Sequence, residues 1–341
     1  MSILSLAPER LRDLRAALAR PVHIDRVGLQ PAVLAFALVA TTACGDSGPT
    51  SNTLVSPQAA VAGGPSAAKG KPTAVTPDGK GIGTLEQTGV QRTRYRVEFH
   101  LGQVMTSTSN VYLIWYGNWA NDPAPLIIQD LVIGLGGSPY FTVNTLYPDA
   151  SGAAPSGGLI FGGAVNDLYS RGPTLSDQDI KDIVLEQMAV QSIPVDPRGI
   201  YVVLTTPDVT ASSGWADRYC AFHDFVMRNG GSHKIVYVGS PRRSPSRCAP
   251  QLTGPNGDYN ADGMASLVAA ELFNATVDPV FNAYYDKLGL EPADKCAWSY
   301  GETYTTPNGA RANVRLGSRD FLLQQLWVPT KKGGQCALAR P

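Results

Sequence analysis

Residues Val111 to Tyr116 read VYLIWY, an unbroken apolar and aromatic run between Asn110 and Gly117. A run this short and continuous fits a strand covered on both faces, the environment of a parallel sheet between helices. Ile200–Thr205 and Lys234–Gly239 repeat the pattern and are predicted as two further central strands. Helices must then cover the sheet, and their starts are legible. Asp122 and Pro123 supply a cap and a first-turn proline before LIIQDLVIGL. Ser176 and Asp179 imitate a capping box ahead of Ile180, Ile183, Val184 and Met188. Strands alternating with helices predict a single α/β domain with a mixed central sheet. The Gly158–Val165 segment, GLIFGGAV, is predicted to hold short additional strands. Tyr95, Val97, Phe99 and Leu101 alternate with Arg96, Glu98 and His100, the period of a half-buried strand with His100 on its polar side.

Upstream of Tyr95 the composition changes. From Gly45 to Arg94 there is no aromatic residue, only a Ser-, Thr-, Gly-, Pro- and Ala-rich stretch that cannot bury enough apolar surface to offset its ordering entropy. Residues 45–94 are therefore expected to be a disordered linker and 95–341 the folded domain. Before the linker, Pro31 to Ala43 form an apolar stretch of about 13 residues, short of the about 20 that span a bilayer, and fit the core of a signal peptide. Cys44 follows in TTACGDSG, which resembles a bacterial lipoprotein cleavage site although Thr41 stands where an aliphatic residue is usual. Residues 1–44 thus read as a leader, ending either in an acylated Cys44 or in ordinary cleavage near Ala43, and the protein is expected in the cell envelope or outside the cell.

The 341 residues carry 28 basic and 28 acidic side chains. Without residues 1–44 the balance is 23 basic to 25 acidic, so no field steers the domain to nucleic acid or to an anionic membrane. Membrane contact is expected only through an N-terminal lipid anchor. The 16% of charged residues, against roughly 25% in ordinary soluble domains, suits a loop-rich extracellular protein.

The most informative stretch for chemistry is Pro255 to Tyr285. A helix is expected from an N-cap at Asp262 to a stop at Asp278-Pro279. At 100° per residue Met264, Leu267, Val268, Leu272 and Ala275 share one face, about 140° wide, and Glu271 falls near its centre. A carboxylate there needs a partner; an Arg near the C-terminus, such as Arg315 or Arg319, is the expected one, and a functional role is the alternative. Asp258, Asn260 and Asp262 have the oxygen spacing of a calcium loop, but position twelve is Ala269 instead of Glu, which leaves either a looser calcium site or a turn that caps the helix. The chain has no H-E-x-x-H, G-x-S-x-G or P-loop motif. Cys220, Cys248, Cys296 and Cys336 form an even set in an exported chain and predict two disulfides. Three connectivities exist. The shortest closures pair Cys220 with Cys248 and Cys296 with Cys336, and a metal site using Cys220 and His223 is the alternative.

VYLIWYGNW at Val111–Trp119, PNGD at Pro255–Asp258, DGM at Asp262–Met264 and DPVFNAYY at Asp278–Tyr285 resemble the plant EXORDIUM family of phosphate-induced proteins. CAFH at Cys220–His223, VYVGS at Val236–Ser240 and LWVP at Leu326–Pro329 extend the resemblance over nearly the whole domain, with a leader of bacterial type. The resemblance implies a secreted protein linked to growth, without an established enzymatic activity. Some family members carry His-Glu-x-x-Glu on this helix followed by Glu-x-x-Asp-x-Cys, which resembles a zincin-type metallopeptidase helix. The corresponding residues here are Ala270, Glu271 and Asn274, then Glu291, Asp294 and Cys296. The resemblance therefore implies a zincin-like scaffold with a degenerate helix: Glu271 and His223 are the catalytic candidates, Glu291 and Asp294 the ligand-binding candidates. The expected function is non-enzymatic binding of an extracellular glycan or peptide, to which Trp115, Tyr116 and Trp119 are candidate contributors. The alternative is a metal-dependent hydrolase using His100, His223, Glu271 and Asp294.

Overall fold

The structure, a computed structural model, describes residues 81–85 and 95–341; the leader, Cys44 and most of the expected linker lie outside the described residues. VYLIWY forms the last six residues of strand β2 (Ser109–Tyr116), flanked by β3 (Leu159–Asp167) and β4 (Gly199–Thr205). Both neighbours run parallel to β2 and keep Val111 opposite Phe161 and Ile200. Beyond β4 lie β6 (Gly231–Val238), also parallel, then β5 (Tyr219–Arg228), antiparallel to β6. The β5–β6 connection is the two-residue Asn229-Gly230 turn, both residues at positive φ, the geometry such a tight hairpin requires. The last strand is β1 (Ile82–Gly83), antiparallel to β5. The sheet therefore reads β1-β5-β6-β4-β2-β3, a mixed sheet as the strand and helix alternation predicts.

β1 departs from the expected linker. Gly81 to Leu85 fall inside the 45–94 segment, yet four of the five are buried and two join the sheet. A single aliphatic residue among glycines carries no hydrophobic period, so this strand could not be separated from its polar surroundings.

Helix α1 (Ala124–Leu135) follows β2, and α2 (Asp177–Ala189) connects β3 to β4. The first crossover moves outward to β3 and the second returns across β2 to β4. Right-handed crossovers in opposite directions place α1 and α2 on opposite faces. The residues of β5 show the same two faces: His223 reaches helix α3 (Tyr259–Val277), whereas the adjacent Asp224 pairs with Lys181 of α2 at 2.9 Å. α3 lies beside α1 and against β5 and β6.

Local signals explain the helix starts. Asp122 Oδ1 accepts from Ala124 N at 2.9 Å, so the aspartate caps α1 from just outside it. At α2 the box is complete: Ser176 Oγ accepts from Asp179 N, and Asp179 Oδ2 accepts from Ser176 N at 2.8 Å. At α3 the expected cap is corrected from Asp262 to Asp258, whose Oδ1 accepts from Asn260 N and Ala261 N. α3 is also not amphipathic. Asn260 to Val277 are all buried, because sheet, α1 and C-terminal segments surround it. The short helix α4 (Pro292–Lys295) packs on α3, and the hairpin of β7 (Leu326–Thr330) and β8 (Gly333–Ala337) packs through β7 on α4. Disulfides join Cys220 to Cys248 and Cys296 to Cys336, which leaves no thiol at Cys220 for a metal site with His223.

Candidate functional site

Glu271 lies at the middle of α3, turned toward β5. It is completely buried. Oε2 faces His223 Nδ1 at 3.2 Å, and Oε1 accepts from Ile82 N of β1 at 3.1 Å. On the far side of the imidazole, Nε2 lies 3.1 Å from Asp278 O and 3.5 Å from Glu291 Oε1. A carbonyl oxygen can only accept, so Nε2 carries a proton and donates it to Asp278. Nδ1 and the Glu271 carboxyl then share one proton between them. Burial pushes the Glu271 carboxyl above its ordinary range, the His223 contact draws it back, and the Asp294 carboxylate adds to the upward push. The partner of Glu271 is thus His223, from a strand 48 residues earlier. The expected arginines are engaged elsewhere: Arg319 pairs with Asp130 at 2.7 Å and Arg315 with Asp320 at 3.2 Å.

One helical turn beyond Glu271, Asn274 bridges α3 to α4. Its Nδ2 donates to Asp294 Oδ1 and its Oδ1 accepts from Ala293 N, both at 2.9 Å. Asp294 Oδ2 accepts from Glu291 N at 3.3 Å, closing the first turn of α4. Beside them the fully buried Lys295 donates to Asp286 at 2.7 Å, with its ammonium over the Trp327 ring.

These residues do not fit a zinc ion. Ala270 has no donor atom, the Asn274 oxygen is taken by a backbone N–H, and both His223 nitrogens face protein partners. Among the described residues no group of three His, Cys, Asp or Glu side chains is arranged to hold a metal ion.

A profile of the "Phosphate-induced protein 1 conserved region" matches residues 97–337, which is the whole of the six-stranded sheet apart from β1 together with helices α1 to α4. The chain belongs to this family. Among phosphate-induced proteins it is similar to Protein EXORDIUM-like 3 of Arabidopsis thaliana, 30% identical over 271 residues that cover 68% of this chain and 80% of the relative. It is 29% identical to Protein EXORDIUM-like 5 of the same plant over 280 residues, 69% of this chain and 76% of the relative. Protein PHOSPHATE-INDUCED 1 of Nicotiana tabacum is 25% identical over 277 residues, 69% of this chain and 86% of the relative. No solved structure shows a significant match to the chain.

In this family member the motifs divide between core and site. Trp115, Tyr116 and Trp119 are buried, the two tryptophan rings edge to face at 5.0 Å, so these aromatics support the sheet instead of meeting a ligand. His100 stacks on Tyr285 and its Nε2 lies 3.1 Å from Tyr285 O, which engages it away from His223. The Asp258-x-Asn260-x-Asp262 oxygens serve protein donors. Asp258 Oδ2 pairs with Arg242 at 2.8 Å, Asn260 Oδ1 accepts from Ser240 Oγ at 2.6 Å, and Asp262 accepts twice from Asn256. A guanidinium already neutralises Asp258, so the three do not fit calcium, and the turn with helix capping is the arrangement adopted.

Two features had no signal in the sequence. One is β1 over Glu271. The other is a cleft of about 490 Å³ at the amino ends of β2, β4 and β6, lined by Gln103, Met105, Asp149, Arg198 and Lys234. Lys234 is buried in its wall, donating to Pro197 O and Ser232 O at 3.0 Å, and burial lowers its ammonium pKa. Its neighbours come from four loops that only the fold brings together.

Proposed function

We propose that this phosphate-induced protein family member is an exported, non-enzymatic protein that binds an extracellular or cell-envelope ligand on a zincin-like scaffold whose catalytic helix has become structural. The reading rests on one observation: Asn274, at the position where a metal ligand would stand, spends both ends of its amide tying α3 to α4. A donor committed to the fold cannot also leave to hold a cation. The order β3-β2-β4-β6-β5, with β5 antiparallel and next to the helix that carries Glu271, supports the scaffold. Two disulfides, and the absence among the described residues of any helix long and apolar enough to cross a membrane, are compatible with export. The relatives' names state no biochemical activity, and a link to growth is carried by the family alone.

The buried His223, Glu271 and Glu291 favour one competing reading, a hydrolase that retains part of a metal site. Quantifying zinc and calcium in the purified full chain, then assaying peptide hydrolysis with and without chelator, separates the two. Metal-free protein without cleavage is the expected result. Stoichiometric zinc with chelator-sensitive cleavage would overturn the proposal.

A further inference from the structure

The segment that covers Glu271 has the geometry of a bound peptide. Ile82 and Gly83 lie extended in a groove walled by strand β5, helices α3 and α4, and Trp298. Ile82 stands opposite Ala221 and Gly83 opposite Tyr219, in the antiparallel sense. Three kinds of contact hold the segment: the backbone ladder to β5, the Ile82 N–H to Glu271 at 3.1 Å, and the Trp298 Nε1–H to Gly83 O at 2.8 Å. The latter two meet backbone groups that any peptide possesses.

Side-chain selectivity comes from shape. The Ile82 side chain is fully buried, so the groove accepts a branched aliphatic group at that place. At Gly81 the backbone is left-handed with φ +40°, and an added Cβ would come within 2.0 Å of Ala221 O, 2.5 Å of Phe222 Cα and 2.6 Å of Glu271 Oε1. Two of these three atoms are backbone, so only glycine fits.

We infer that the groove along β5 is a binding site for extended peptides of the pattern glycine, aliphatic, small residue, and that Gly81–Thr84 are its resident occupant in cis. The site works by strand addition: main-chain hydrogen bonds supply affinity, and the pocket for the aliphatic residue and the wall against a Cβ supply selection. An occupant on the same chain is present at high effective concentration, so an external peptide enters only when the resident segment is out. This deepens the proposed function and rests on its claim that the protein binds an extracellular ligand.

The test uses the full chain, its Gly81→Val and Ile82→Asp variants, and a fluorescent synthetic peptide with the sequence of residues 79–86. Both variants are expected to bind the peptide at least 10-fold more tightly than the unmodified chain, and a peptide with Val at the Gly81 position is expected not to bind. Equal binding by all three chains, or binding of the Val peptide, would overturn the inference. Mass spectrometry of the recovered peptide keeps the two proposals apart. A bound, intact peptide supports both; a cleaved one upholds the groove and overturns the non-enzymatic reading; a variant with its segment displaced that binds nothing overturns the groove alone.

Hydrogen exchange on the unmodified chain tests the inference independently of how the variants fold. The amides of 81–85 are expected to exchange through local opening, at least 10-fold faster than those of β2 and β4. Exchange of both sets only on global unfolding would mean that the groove never opens, and would overturn the inference.

Discussion

Asp262 illustrates how a single buried group sets a pH response. Burial pushes its carboxyl up to about 6 despite two hydrogen bonds from Asn256. Because the folded value lies above the ordinary 3.8, the folded state prefers the protonated acid. The resulting stabilisation is complete below about pH 4 and is lost as the pH rises through about 6, to an extent of roughly 3 kcal/mol at most. Asp262→Asn, which is neutral throughout, is expected to gain stability relative to the unmodified protein between pH 4 and pH 7. Urea midpoints of both proteins at the two pH values check this; a difference that stays constant would contradict it. Glu271 shows what a sequence can and cannot say about such groups. Its place on an apolar helical stripe revealed that it was buried and needed a partner. The identity of that partner depends on which strand lies over the helix, and His223 is brought there by a sheet order that no local spacing encodes.

At the scale of elements, local chemistry and burial differ in legibility. The α2 capping box is present as the sequence suggests, with both reciprocal hydrogen bonds made. Ser176→Ala is expected to cost about 1 kcal/mol, and Ser176→Gly only a few tenths. Thermal unfolding of the two variants measures this, and equal losses would assign the effect to something other than the cap. β2, β4 and β6 were visible as apolar runs because strands buried on both faces leave no polar alternation. α3 was harder. Its period predicted one apolar face, whereas the fold covers every side, and small residues such as Ala265, Ala269 and Ala270 fit either situation. β1 was hidden because two paired residues form an element only when β5 and α3 are already in place.

At the largest scale, the described residues form an α/β core around a mixed sheet, to which two later segments are tied by disulfides. Cys220–Cys248 fastens the loop that leads into α3, and Cys296–Cys336 fastens the last strand to the end of α4. With its ends 40 positions apart in sequence, the second bridge stabilises the fold by roughly 2–4 kcal/mol through its restriction of the unfolded chain. The Cys296→Ser, Cys336→Ser double variant is expected to lose about that much in urea unfolding under non-reducing conditions. A loss below about 0.5 kcal/mol would show that β7 and β8 hold α4 without the bridge. The two edges of the sheet are unequal. β1 closes one, while β3 pairs only with β2 among the described residues and is interrupted by an irregular register near Gly162. In the language of polymer chemistry the sheet of the described residues carries one unpaired valence, at β3. Loss of β1 would uncover a second at β5, turning a sheet with one end open to strand addition into one with two.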